Sequence, residues 1–209
     1  MPIVAGNNQK KTRFSSTAQH PVTPVRGYIK ITQATEAFNY DFHNKTVLDI
    51  GSSTGGFTQY AIEHGATKVI AVEKGTNQMK SPLRFDSRIE LHEKTDFFDF
   101  NTTMHIDVVL ADVSFLSLRP ILKHAIEMTS KNTDYIVMLK PQFEATPKQL
   151  NNGTVKNEKI RRTIIKDFEK WLKENQFLII KKHDNQLKGK KRNIERFYLL
   201  RKTGLDSSL

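Results

Sequence analysis

The 209 residues contain no cysteine. Disulfides and cysteine-ligated metal sites are therefore excluded, and a reducing compartment is compatible with the composition. No metal is expected. No uninterrupted apolar run approaches the ~20 residues that a membrane-spanning helix requires. The opening residues, Met1-Pro2-Ile3-Val4-Ala5-Gly6-Asn7, lack a basic flank followed by an apolar stretch, so no secretory leader is expected. These absences predict a cytoplasmic chain that does not enter the membrane. Acid is also scarce: 22 Asp and Glu stand against 33 Lys and Arg, a formal net charge of +11. Such an excess fits a polyanionic partner, and nucleic acid is the commonest. A basic surface kept for solubility is the alternative. No strongly amphipathic basic helix stands out to favour a membrane surface.

Residues 1–27 are polar and basic, with Lys10, Lys11 and Arg13 followed by Pro21 and Pro24, and read as an arm. A helix is predicted over 33–42. From Thr46 strand and helix patterns alternate. Apolar strands are predicted at 46–50, 68–72, 88–91, 106–111 and 134–139. One intervening helix carries Phe57, Tyr60, Ala61 and His64 on a single face and stops at Gly65. Another is predicted over 78–85, despite Pro82. A third is capped by Ser117 and presents Leu118, Ile121, Leu122 and Ala125. Residues 141–156 read as a polar loop. A helix over 157–175 turns Ile160, Ile164, Phe168, Trp171 and Leu172 inward. Strands at 177–182 and 196–201 have no helical crossover between them, so they are expected to pair antiparallel.

This pattern predicts an α/β fold with a mostly parallel seven-stranded sheet, a C-terminal antiparallel hairpin and helices on both faces. The domain is expected over 28–203, with a tail at 204–209. In open sheets of this kind ligands bind beyond the carboxyl ends of the strands. Gly51, Glu73, Asp112 and Lys140 all fall there.

The run Asp49-Ile50-Gly51-Ser52-Ser53-Thr54-Gly55-Gly56-Phe57 joins a strand to a helix. Its glycines permit a tight turn and close approach of a ligand to the backbone. Ser53 stands where a dinucleotide fingerprint has its second glycine, and no P-loop lysine is present. A cofactor without phosphates fits better. Glu73 ends the next strand, where an acid can accept hydrogen bonds from both hydroxyls of a ribose. Asp96 is placed to accept from an adenine amino group. S-adenosylmethionine meets these requirements, with Asp49, Gly51, Ser52, Ser53, Gly55, Gly56, Phe57, Glu73, Asp96 and Asp112 as its candidate binding residues.

Asp112 and Lys140 each end an apolar strand, a poor place for a charge unless it is paired or functional. If their strands are neighbours, the two are close together. A lysine serves as a general base only when neutral. A purely structural ion pair at the sheet edge is the other reading, and the sequence leaves both open.

The strings Leu48-Asp49-Ile50-Gly51-Ser52-Ser53-Thr54-Gly55-Gly56-Phe57-Thr58, Ala111-Asp112-Val113-Ser114-Phe115-Leu116-Ser117-Leu118, Leu139-Lys140-Pro141-Gln142-Phe143-Glu144 and Asn193-Ile194-Glu195-Arg196-Phe197 resemble the TlyA branch of the FtsJ-like RNA methyltransferases. Gly153 and Val155 add to the likeness. It covers about residues 25–202. The resemblance implies a Rossmann-like class I methyltransferase fold and methylation of a ribose 2′-hydroxyl of ribosomal RNA. It also implies a Lys-Asp-Lys-Glu tetrad, here Lys30, Asp112, Lys140 and Glu195. Members of this branch begin with a small RNA-binding domain, and about 27 arm residues stand in that place here. RNA contact is therefore expected from Lys10, Lys11, Arg13 and Arg26, and from Lys188, Lys190, Lys191 and Arg192. Other readings are a base or protein methyltransferase, a non-catalytic RNA-binding or ribosome-assembly factor, and a haemolysin. Base methylases often carry an Asn/Asp-Pro-Pro-Tyr string where Asp112-Val113-Ser114-Phe115 stands.

Overall fold

A computed structural model describes residues 25–185, 187 and 193–203. One inner strand, β1 (Thr46–Ile50), is buried from Val47 onward. Strands β2 (Lys68–Val72) and β4 (Val108–Ala111) flank it in parallel, with Val47 opposite both Val69 and Val108. Two further parallel strands, β3 (Ile89–His92) and β5 (Asp134–Leu139), extend the sheet on either side. These strands are short and apolar because interior parallel strands are covered on both faces.

Helices α1 (Arg26–Phe38) and α2 (Gly56–Glu63) cover one face, where Ile31, Ala34, Phe57 and Ala61 pack on Val47, Val69 and Val108. Helix α3 (Leu118–Glu127) covers the other, with Leu122 and Ala125 on Leu48, Ile70 and Val109. Ser117 caps α3 by accepting from Arg119 N at 3.1 Å. Beyond β5 come α4 (Pro141–Glu144), the small hairpin β6 (Leu150–Asn151) and β7 (Thr154–Val155), and α5 (Glu158–Glu174). Helix α5 joins the α3 side through Ile165, Phe168 and Leu172. Strands β8 (Phe177–Asp184) and β9 (Arg196–Lys202) finish the sheet, in the order β3-β2-β1-β4-β5-β9-β8. β9 runs antiparallel to both β5 and β8. The expected seven-stranded, mostly parallel architecture is therefore the observed one.

Three expectations are corrected. The first helix begins at Arg26 and ends at Phe38, not over 33–42. Arg26 and Gly27, expected in the arm, lie in the first turn of this helix. The reason is a tertiary contact: a Cβ on Gly56 would lie 2.7 Å from Tyr28 N and 3.0 Å from Gly27 Cα, so the first turn of α1 leans on α2 only because that residue is glycine. At the other end Asn39 adopts a left-handed conformation (φ 48°) and closes the helix before Phe42 enters the core. The segment 78–85 holds only a 3₁₀ turn at Leu83–Phe85, as Pro82 cannot sit inside a helix. The segment 141–156 holds α4 and the β6–β7 hairpin, whose turn is Asn152-Gly153 with φ of 47° and 75°. That dipeptide is a strong hairpin signal.

Register places the polar ends together. Leu139 pairs with Arg196 across β5 and β9, so Lys140 and Glu195 leave the sheet at the same edge. Ala111 pairs with Val137 and with Ile50, which brings Asp112 and Gly51 to that edge as well.

Candidate active site

The turn after β1 is built from backbone that most residues avoid. Gly51, Ser53 and Gly55 have φ of 77°, 50° and 89°. Gly51 N and Ser52 N both donate to Val72 O, at 2.9 and 3.2 Å, which ties the turn to β2. Gly55 is closed in by Leu83 and Met79. Beside this turn lies a cavity of about 560 Å³, of a size suited to a cofactor. Asp49, Gly51, Ser52, Ser53, Gly56 and Phe57 line it, and so do all four residues of the expected tetrad.

Asp49 is fully buried. Thr58 Oγ1 donates to its Oδ2 at 2.6 Å, while its Oδ1 has no partner among the described residues. Burial pushes its carboxyl up from 3.8 to about 7, and the nearby Asp112 adds to this. Ser52 Oγ is likewise buried without a partner. Two orphaned polar atoms in a cavity wall suit a ligand that carries donors, and a cationic one best relieves Asp49.

Glu73 and Asp96 do not line the cavity. Glu73 braces the turn, accepting from Ser53 N at 2.9 Å and Gly75 N at 2.6 Å. Asp96 accepts from Phe98 N and pairs with Lys74 at 2.7 Å, and the Lys74 ammonium holds its carboxyl below the usual carboxylate range.

The four tetrad candidates come from four separate elements and meet. Lys30, on α1, pairs with Glu195 at 2.7 Å and lies 4.0 Å from Asp112 Oδ2. Lys140 pairs with Asp112 Oδ1 at 2.6 Å and donates to Ser114 Oγ at 2.7 Å. Side-chain exposure is 7% for Lys30, 4% for Glu195 and 8% for Lys140, so these charges compensate one another largely away from water. Asn185 secures Glu195, its N–H donating to Glu195 O at 2.9 Å. Ser114 and Asn185 escape sequence reading. Ser114 sits within a string that resembles the family, but nothing local marks Asn185.

At the rim, Phe115 has a left-handed backbone (φ 68°) and is 87% exposed, with its ring 5.4 Å from that of Phe143. Among the residues expected to touch RNA, Arg26 lines the cavity. Lys10, Lys11, Arg13, Lys188, Lys190, Lys191 and Arg192 lie outside the described residues. Among the described residues no group of acidic and histidine side chains could hold a metal ion, and no helix is long and apolar enough to cross a membrane.

Strand order and glycine turn give a Rossmann-like fold, the architecture of class I methyltransferases. The chain belongs to the FtsJ-like methyltransferase family, whose model matches residues 24–202. It is 35% identical over 175 residues to the 23S rRNA (cytidine-2′-O)-methyltransferase TlyA of Campylobacter jejuni, a match covering 83% of this chain and 68% of that one. A Bacillus subtilis relative, YqxC, named provisionally as an rRNA methyltransferase, is 37% identical over 147 residues, or 68% of this chain and 52% of its own. A solved structure from Streptococcus thermophilus, described provisionally as a hemolysin, is similar at a TM-score of 0.83 and 31% identity, over 88% of this chain and 69% of that one.

Proposed function

We propose that this chain methylates a ribose 2′-hydroxyl of ribosomal RNA with S-adenosylmethionine as methyl donor. The observation that carries the reading is the convergence of Lys30, Asp112, Lys140 and Glu195 on a cavity shared with the glycine turn. Asp49, Gly51, Ser52, Ser53, Gly56 and Phe57 are the residues assigned to the cofactor, and Gly55 shapes their turn. Glu73 Oε2 keeps a second lone pair for a ribose hydroxyl. Asp96 is a weaker fit for the adenine amine, since Lys74 and Phe98 N already engage it.

S-adenosylmethionine supplies a methyl group activated by a positively charged sulfur. With its amine neutral, Lys140 Nζ would take the proton of the 2′-hydroxyl; the oxygen would bond the methyl carbon as the methyl–sulfur bond breaks, and the sulfur would leave as a neutral thioether. Asp112 and Ser114 hold that amine from two directions. Lys30 and Glu195 orient the hydroxyl. Fixed placement of this kind supplies on the order of 7–11 kcal/mol in favourable cases. The formal charge of +11 suits a phosphate-rich acceptor, and the C. jejuni relative's named substrate points to ribosomal RNA. The catalytic unit in this reading runs from α1 to β9.

Incubation with labelled S-adenosylmethionine and ribosomal RNA, followed by nucleoside analysis, tests the proposal. A 2′-O-methyl nucleoside is expected. Label in a base refutes it. No label, together with no cofactor binding by calorimetry, turns the reading to a non-catalytic RNA-binding factor. Leakage of liposomes by the purified chain would favour a haemolysin.

A further inference from the structure

Glu144 takes no part in the tetrad, yet its side chain is only 3% exposed. It closes α4, four residues after Lys140. Its Oε1 accepts from Leu118 N at 2.7 Å, and its Oε2 accepts from Ser117 Oγ at 2.8 Å and faces Arg119 Nε at 3.3 Å. Ser117 ends the loop that Asp112 begins, and Leu118 opens α3. One short stretch of chain therefore grips both ends of that loop: Lys140 holds Asp112, and Glu144 holds Ser117 and Leu118. Between the grips lie Ser114, which accepts from Lys140, and Phe115 in its left-handed conformation. An aromatic residue keeps such a backbone only where its surroundings impose it.

Helix capping accounts for only one Glu144 oxygen: Oε1 takes Leu118 N while Ser117 takes Arg119 N, and Oε2 is engaged by the side chains of Ser117 and Arg119. A buried carboxylate is costly unless donors match it, and here they come from Ser117, which ends the loop that carries Asp112, and from Leu118 and Arg119 in the first turn of α3. We propose that Glu144 is a positioning residue for the transfer step. It clasps the loop after β4 to the chain after β5 and so sets the contact between Asp112 and Lys140. The inference rests on the methyl-transfer reading above.

Glu144→Gln and Ser117→Ala, each made in the full chain, test it. Ser117→Ala deletes one hydroxyl and serves if the Gln variant fails to fold. The measurements are kcat and KM on RNA, cofactor Kd by calorimetry, melting temperature, and the rate at which an acylating reagent modifies the Lys140 amine, read by mass spectrometry. Folded variants are expected to lose roughly 10- to 100-fold in kcat while cofactor Kd stays within about three-fold. The Lys140 acylation rate is expected to change severalfold. Unchanged kcat together with unchanged Lys140 reactivity overturns the inference. If the unaltered chain moves no methyl to RNA, the acceptor reading fails, and the Lys140 reactivity alone decides the role of Glu144.

Discussion

Lys140 and Asp112 leave neighbouring parallel strands at the same edge, and their charged groups meet at 2.6 Å. Lys140 meets Asp112 Oδ1, while Lys30 stands 4.0 Å from Oδ2 and reaches Glu195 on its other side. The four charges form a chain, lysine to aspartate to lysine to glutamate, that crosses the cavity wall. Two lysines and two carboxylates balance formally. An amine placed this way is held firmly and shielded from water.

Replacing Lys140 by Ala removes the proton acceptor and leaves the glycine turn untouched. Methyl transfer should fall by about 10²–10⁴-fold or more, with cofactor affinity changed only a few-fold. Single-turnover transfer and calorimetry check this. Full activity in the Ala variant would sink the mechanism.

Lys30 and Glu195 form a buried pair, so removing one partner strands the other. Lys30→Met or Glu195→Gln alone should cost about 3–5 kcal/mol of stability. The double variant should lose clearly less than the sum of the two, because the partners are coupled. Urea unfolding measures all three. Strict additivity would show that the pair is not the interaction that matters.

Asp49 gives the unliganded chain a pH signature. Its carboxyl titrates near pH 7 when folded, against 3.8 ordinarily, chiefly because of burial. Between those values the folded chain holds a proton that the unfolded chain has released. Stability from this group therefore declines as pH rises from about 4 to about 7, by at most about 4 kcal/mol. Asp49→Asn should flatten that decline and raise stability at pH 8. Affinity for a cationic cofactor should rise over the same range in the unaltered chain and much less in the variant. Parallel pH profiles for the two proteins would falsify the assignment.

The contact between α1 and α2 depends on one glycine. Gly56→Ala should cost about 1–3 kcal/mol, since its Cβ meets backbone at 2.7 Å. Activity should fall with it, because α1 carries Lys30. Gly27→Ala is the control: its Cβ meets Gly56 Cα at an ordinary 3.5 Å, so it should be neutral or mildly stabilising. Equal losses at the two positions would contradict the packing argument.

Much of the fold is legible in the chain itself. The strands at Thr46–Ile50, Lys68–Val72 and Asp134–Leu139 have the boundaries expected of short apolar runs. Helix α5 starts and stops at Asn157 and Asn175, the first capping it through Ile160 N at 2.9 Å. The hairpin at Leu150–Val155 is less legible. Its strands are two residues long and bury no alternating face, so only Asn152-Gly153 announces it. The start of α1 is not legible at all. Its first turn packs against Gly56, some thirty residues away, and local propensity carries no record of that contact.

The sequence by itself determined the order of strands and helices, the glycine turn, and the presence of charges at strand ends, because burial and turn chemistry leave periodic and local marks. Tertiary structure alone decided that Lys30, Asp112, Lys140 and Glu195 share one wall, that Glu73 and Asp96 stand outside it, and that Glu144 grips the loop of Asp112. Strand order and register set distances between residues far apart in the chain, and no local pattern encodes them.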